Sequence, residues 1–135
     1  MGAISIEYLG NLKTKAVHPL SGIELITDAP PDNNGEGKSF SPTDLLSTAV
    51  GSCMLTIMGI SANTNNINLN SANISVEKVM SSNPRRIGEL NIKMELPKSL
   101  TDKERTILER AAKHCPVAKS IHPDINENIE IEYTL

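Results

Sequence analysis

Apolar and polar residues alternate over residues 4–10, with Ile4, Ile6 and Tyr8 on one side and Ser5 and Glu7 on the other. That period of two is the signature of a half-buried strand. Residues 13–17 and 23–27 read as two more strands, and His18-Pro19-Leu20-Ser21-Gly22 between them is turn chemistry. The chain therefore opens as an antiparallel meander. A polar Pro/Asn/Gly loop follows over residues 29–38. The period then changes. Leu45, Leu46, Ala49, Val50, Cys53, Met54, Ile57 and Met58 recur at helical spacing, after Ser41 as cap, Pro42 at the first position and Asp44 at the third. An Asn-rich stretch, residues 63–70, ends this helix. Two longer strands follow, residues 73–81 and 86–96, joined through Asn83-Pro84. Thr101 and Glu104 form a capping box for a second helix, whose stripe is Ile107, Leu108, Ala111, Ala112 and Cys115. Pro116 cannot continue that helix but can start a short new one over residues 116–121. Alternation returns at residues 129–133 as a last strand. The order is α+β rather than a wound βαβ sheet, and its length suits one domain over residues 1–135.

Composition sharpens this picture in three places. There is no Trp, one Phe and two Tyr, so the core is aliphatic and needs dense packing or help from a partner subunit. No charge occurs from Leu45 until Glu77, which raises the question of a membrane span. The many hydroxyls (Ser47, Thr48, Ser52, Thr56, Ser61) and the flanking strand patterns favour instead a helix buried on nearly all faces within a soluble assembly, with no membrane partner. Net charge is -3 without a basic block, which argues against nucleic acid. Gly35-Glu36-Gly37-Lys38-Ser39 imitates a phosphate loop, but Asp32 stands where the first glycine belongs and no strand leads into it. Met1-Gly2 fails the myristoylation pattern, because Ile6 occupies the Ser/Thr position. With two cysteines and no secretory leader pattern, a cytoplasmic location is expected.

Candidate chemistry centres on Cys53 and Cys115. Their separation is neither a CxxC motif nor a zinc spacing, and His18, His114 and His122 are too scattered for a metal site. Cys53 lies mid-helix on an apolar stripe, where a small buried hydrophobe is the plain reading. An apolar surround penalises its charged form unless a cation stands close. Cys115 precedes Pro116, so it caps the restarted helix, where free N–H groups favour a thiolate. It also continues the apolar stripe, and position alone leaves both readings open.

Two segments change the balance. Ser41-Pro42-Thr43-Asp44-Leu45-Leu46-Ser47-Thr48-Ala49-Val50-Gly51-Ser52-Cys53 resembles the central helix of the OsmC/organic hydroperoxide resistance family, and His114-Cys115-Pro116-Val117-Ala118-Lys119-Ser120-Ile121-His122 resembles its second signature. The resemblance implies antiparallel sheets around a long buried central helix in an intertwined homodimer. It implies a thiol peroxidase in oxidative or osmotic stress defence, acting on organic hydroperoxides. Cys53 is then the peroxidatic residue and Cys115 the resolving one. No cofactor is expected, only an external dithiol reductant. Leu46, Val50, Met54 and Ile57 would line an apolar substrate pocket.

The family's peroxidases pair the reactive Cys with an Arg near the N-terminus and a Glu at the helix start. Here residues 1–84 hold no Arg, and Thr43 stands at the Glu position with Asp44 beside it. Asp44, Thr43, His18 and His114 are the candidate supporting residues, and Lys15, His18, Arg85 and Arg86 the candidate substitute cations. Two rival readings share the fold. One is a non-enzymatic protein binding a small hydrophobic ligand, the other a redox switch without turnover.

Overall fold

The computed structural model describes residues 2–135. Three strands come first: β1 (Ser5–Gly10), β2 (Lys13–Val17) and β3 (Glu24–Asp28). They form an antiparallel sheet in chain order, with Ile6 opposite Ala16 and Ala16 opposite Leu25. The apolar phase of the alternation thus lies on one face, and it is bare: Ile6 is 69% and Tyr8 65% exposed. A short 3-10 turn, Pro31–Asn33, shapes the loop before helix α1 (Pro42–Thr64).

The rest comprises β4 (Asn73–Ser81), β5 (Arg86–Leu96), α2 (Asp102–Ala112), α3 (Pro116–Ser120) and β6 (Asn126–Tyr133). β4 and β5 pair antiparallel, as expected. β6 departs from the antiparallel expectation by running parallel to β5. The reason is the connection: a chain that returns through two helices can lay its last strand alongside in the same direction, whereas a tight turn cannot. The chain divides into two compact units, Met1–Leu46 and Ser47–Leu135, and α1 begins in the first and runs on through the second.

In the second unit the core is built as alternation dictates. Leu90, Ile92, Met94 and Leu96 of β5 are buried, together with Val50, Met54, Met58 and Ala62 of α1 and Leu108 and Ala112 of α2. α1 lies close on β4 at Gly51, where an added Cβ would stand 2.9 Å from Val76 Cγ2 and 3.0 Å from Ile74 Cγ2. Within the single chain α1 is only partly buried. A third of its most apolar window is buried, and Ala49, Thr56 and Ile60 face outward. By length and composition α1 is long and apolar enough to cross a membrane, but its buried stripe packs on the sheet as that of a core helix does.

In the first unit, the glycine-rich loop is not a phosphate cradle. Gly35 N–H donates to Pro30 O, Gly37 N–H to Ala29 O, and Lys38 N–H to Asp28 Oδ2, so these amides are spent within the loop. Lys38 Nζ pairs with Glu36 at 2.7 Å, and Lys13 Nζ reaches Glu36 at 3.1 Å and Asp28 at 3.6 Å.

Candidate active site

Local chemistry sets where α1 starts. Asp44 N–H donates to Ser41 Oγ at 3.1 Å, and Ser41 N–H donates back to Asp44 Oδ2 at 2.9 Å. This reciprocal cap stabilises a helix end by about 1 kcal/mol. It also defines the role of Asp44, whose carboxylate is held by the backbone it caps. Thr43 Oγ1 lies 3.2 Å from Ser41 Oγ in the same turn.

The register of α1 then places Cys53. At 3.6 residues per turn, Cys53 lies about 160° around the helix from Gly51, which faces the sheet. It lies about 60° beyond the buried Val50, on the flank of the buried stripe rather than in it, and it is half-buried. Val50, one turn before it, is fully buried.

Cys115 reaches the same turn from the other side. α2 ends at Ala112, and Cys115 is extended (φ -66°, ψ 119°), as a residue before proline prefers. It is the N-cap of α3, and its sulfur accepts from Ala118 N–H at 3.4 Å. The Cys115 side chain is fully buried, and its sulfur lies 3.9 Å from the carbonyl oxygen of Val50. Val50 is one helical turn before Cys53, so both free cysteines belong to the same part of α1's surroundings. The start of α3 thus brings Cys115 to the α1 turn that precedes Cys53.

The electrostatics differ from what the capping position alone predicts. Burial pushes the Cys115 thiol up, and the neighbouring Cys53 adds to that. The N–H groups of Ala118 and Val117 act in the opposite direction without prevailing. Desolvation of a charged sulfur outweighs two amide dipoles, so Cys115 is held as a thiol.

The candidate supporting residues are engaged elsewhere. His18 Nδ1 bonds Ser21 Oγ at 2.7 Å in the β2–β3 turn. His114, although next to Cys115 in sequence, is exposed and its Nδ1 donates to Arg110 O at 2.7 Å. Among the substitute cations, Lys15 pairs with Glu7 at 3.9 Å, and Arg86 donates to Ser82 O and Pro84 O. Of the expected pocket residues, Val50 and Met54 belong to the core, which leaves Leu46 and Ile57 as half-buried apolar side chains, Ile57 one turn after Cys53.

The sequence reading overlooked one cation. Ile74, Val76, Lys78 and Met80 occupy one phase of β4, and Gly51 packs against the first two. Lys78 thus shares the helix-facing phase, opposite Leu90, which in turn is opposite Glu127 of β6. The signal was legible: a charge in the apolar phase of an alternating strand. Glu127 is pushed up by burial, and the charge of Lys119 partly offsets this.

Known proteins share this arrangement of elements. No curated protein sequence matches the chain significantly. A protein of Psychrobacter arcticus 273-4, described as an osmotic stress induced and detoxification response protein, is 47% identical, with a TM-score of 0.92 over 98% of this chain and 96% of that one. An organic hydroperoxide resistance protein OsmC from Legionella pneumophila is 16% identical, with a TM-score of 0.72 over 98% of each chain. An organic hydroperoxide resistance protein from Elizabethkingia anophelis, with thiocyanate bound, is 13% identical, with a TM-score of 0.76 over 99% of this chain and 98% of that one. The last two similarities are of fold alone. The family model for OsmC-like proteins matches residues 35–130, which span both cysteines. A match of that extent, together with the near relative, means that the chain belongs to the OsmC-like family.

Proposed function

We propose that this protein is a thiol-dependent peroxidase that reduces organic hydroperoxides in oxidative or osmotic stress defence. The observation that carries the reading is the pairing of a half-buried Cys53 with a fully buried Cys115 whose sulfur rests on the Val50 carbonyl, one helical turn before Cys53. The accessible sulfur is suited to meet the peroxide and the hidden one to meet the product. The Cys53 thiolate attacks the O–O bond, an S–O bond forms, and the alkoxide leaves with a proton from solvent as the alcohol. The resulting sulfenic acid is attacked by the Cys115 sulfur. An S–S bond forms, and the hydroxyl departs as water with the proton Cys115 gives up. An external dithiol reduces the disulfide and is itself oxidised to one. A reducing, cytoplasmic compartment, where thiols are kept unpaired between turnovers, belongs to the same reading.

We further infer that the working form is an intertwined homodimer in which both units make up a single OsmC-like domain. The bare apolar face of β1–β3 and the outward residues of α1 support this, since exposed apolar patches of that kind mark interfaces. Hydroperoxide consumption with a dithiol, using cumene hydroperoxide against hydrogen peroxide and wild type against Cys53→Ser, tests the function. Turnover on the organic peroxide that vanishes in the variant is the expected result. Equal activity in the variant refutes it.

A second reading has one observation behind it. Residues 1–84 contain no Arg, so the family's thiolate-stabilising partner is missing. On that reading the protein holds a small hydrophobic ligand without turnover, and a co-purifying ligand with no peroxide consumption is its mark.

A further inference from the structure

Between the C-terminal half of α1 and the end of α2 lies a groove of about 400 Å³, lined by Ser61, Ile107, Arg110, Ala111 and His114. Its floor is apolar and its rim is cationic. Ile107 and Ala111, one turn apart on α2, are half-buried, whereas Arg110 and His114 are exposed. His114 Nδ1 donates to Arg110 O at 2.7 Å, which fixes the ring as a wall of the groove. That bond engages the Arg110 carbonyl and not its guanidinium. Among the described residues, no carboxylate pairs with the guanidinium. The other carboxylates of α2 are committed elsewhere. Glu109 accepts from the Tyr133 hydroxyl, and Glu104 accepts from Thr101 N–H at 2.9 Å. Asp102 stands at the opposite end of the helix, about 12 Å away along its axis. α1 carries no charge from Leu45 to Thr64, and Lys113 shares a neighbouring hollow with Arg110. The local field at the groove is therefore positive.

We propose that this groove binds a small organic monocarboxylate, whose apolar body covers Ile107 and Ala111 while its carboxylate is held by the Arg110 guanidinium. The match is one of charge and of polarity together. A guanidinium presents paired N–H groups in the geometry of two carboxylate oxygens, and such charge-assisted bonds are the strong ones. Few polar groups beside an apolar surface are the usual make-up of a small-molecule site. An inorganic anion or acetate meets the charge and leaves the floor bare. A neutral alcohol covers the floor and leaves the guanidinium without an anion. Ser61 brings a hydroxyl to the α1 side of the groove. It lies eight residues after Cys53, about 12 Å along the helix, so the site does not involve the thiols and stands whether or not the protein is a peroxidase.

Octanoate is the probe, titrated into the reduced protein at neutral pH by calorimetry and located by amide shifts in NMR spectra. Saturable binding is expected, with the shifts gathered at Ser61 and at Ile107, Arg110, Ala111 and His114. Acetate and 1-octanol, each lacking half of the match, are expected to bind far more weakly. Arg110→Gln should weaken octanoate about tenfold, the loss of a hydrogen bond to a charged group. Arg110→Lys, which keeps the charge and loses the fork, should fall between the two. Ala111→Leu, which fills the floor and leaves every charge in place, should weaken octanoate as well. Arg110 is exposed, so its variants are expected to melt like wild type. The proposal is overturned if 1-octanol binds as tightly as octanoate, if Arg110→Gln binds octanoate like wild type, or if the shifts gather elsewhere. It is equally overturned if about 10 mM octanoate gives no saturation, the result expected where a second copy of the chain closes the groove.

Discussion

Gly51 is where a single methyl group should report on how Cys53 is held. A Cβ at this position would stand 2.9 Å from Val76 Cγ2 and 3.0 Å from Ile74 Cγ2, where carbon atoms rest at about 3.5–4.0 Å. The helix and strand must therefore separate by roughly half an ångström, because both opposing groups are stiff β-branched methyls. Two effects oppose each other in Gly51→Ala. Replacing a mid-helix glycine gains about 1 kcal/mol in helix propensity. Forcing a methyl into a packed contact costs about 1–3 kcal/mol. The balance is a loss of about 0–2 kcal/mol, to be measured by urea unfolding of the reduced protein. Gly59→Ala on the same helix is the comparison, since nothing lies within 4 Å of its Cβ position and it should show the propensity gain alone. Lifting α1 off β4 also carries Cys53 away from Cys115, whose sulfur rests on the Val50 turn. Disulfide formation after one equivalent of peroxide should therefore slow in Gly51→Ala and stay normal in Gly59→Ala. The reasoning is refuted if Gly51→Ala raises stability by the full propensity gain, because the helix would then not be seated against Val76 and Ile74.

Two further outcomes follow from the same geometry. Closing a disulfide between Cys53 and Cys115 constrains a loop of about 63 residues, for which chain entropy gives about 4 kcal/mol of stabilisation; unfolding with and without dithiol should show a gain of that order, and a loss would mean that the bond distorts the capped start of α3. In the first unit, the hydrogen bond from Lys38, followed by that from Lys13, lowers the Glu36 carboxyl to about 2. A depressed acid contributes stability above its unfolded value of ~4.3, and that contribution disappears as pH falls toward 2. NMR titration of the Glu36 carboxyl should give a midpoint near 2 at low salt, and an ordinary carboxylate midpoint would mean that the Lys13–Glu36–Lys38 cluster does not persist in solution.

Legibility in the sequence followed the range of the forces involved. β4, β5 and the capping box at Thr101 and Glu104 lie where alternation and hydrogen-bonding chemistry predict. These are local effects between residues a few positions apart. Ser41 and Asp44 likewise declared the start of α1, although Asp44 proved to be a cap. The supporting roles considered for His18 and His114 were less legible, since each ring is satisfied by a partner within four residues. Sequence proximity to Cys115 said nothing about the direction in which the His114 ring points.

The sequence by itself determined the elements, their order, the family and the two cysteines, because period, capping chemistry and motif are properties of neighbouring residues. Only the tertiary structure decided that β6 runs parallel to β5, that α1 is covered by its own chain over about a third of its most apolar window, and that Cys115 comes to rest on the α1 turn at Val50 that precedes Cys53. It also decided that burial, and not the helix start, governs the Cys115 thiol. Desolvation depends on everything packed around a group, and that is set by contacts between segments far apart in the chain, which no local pattern encodes.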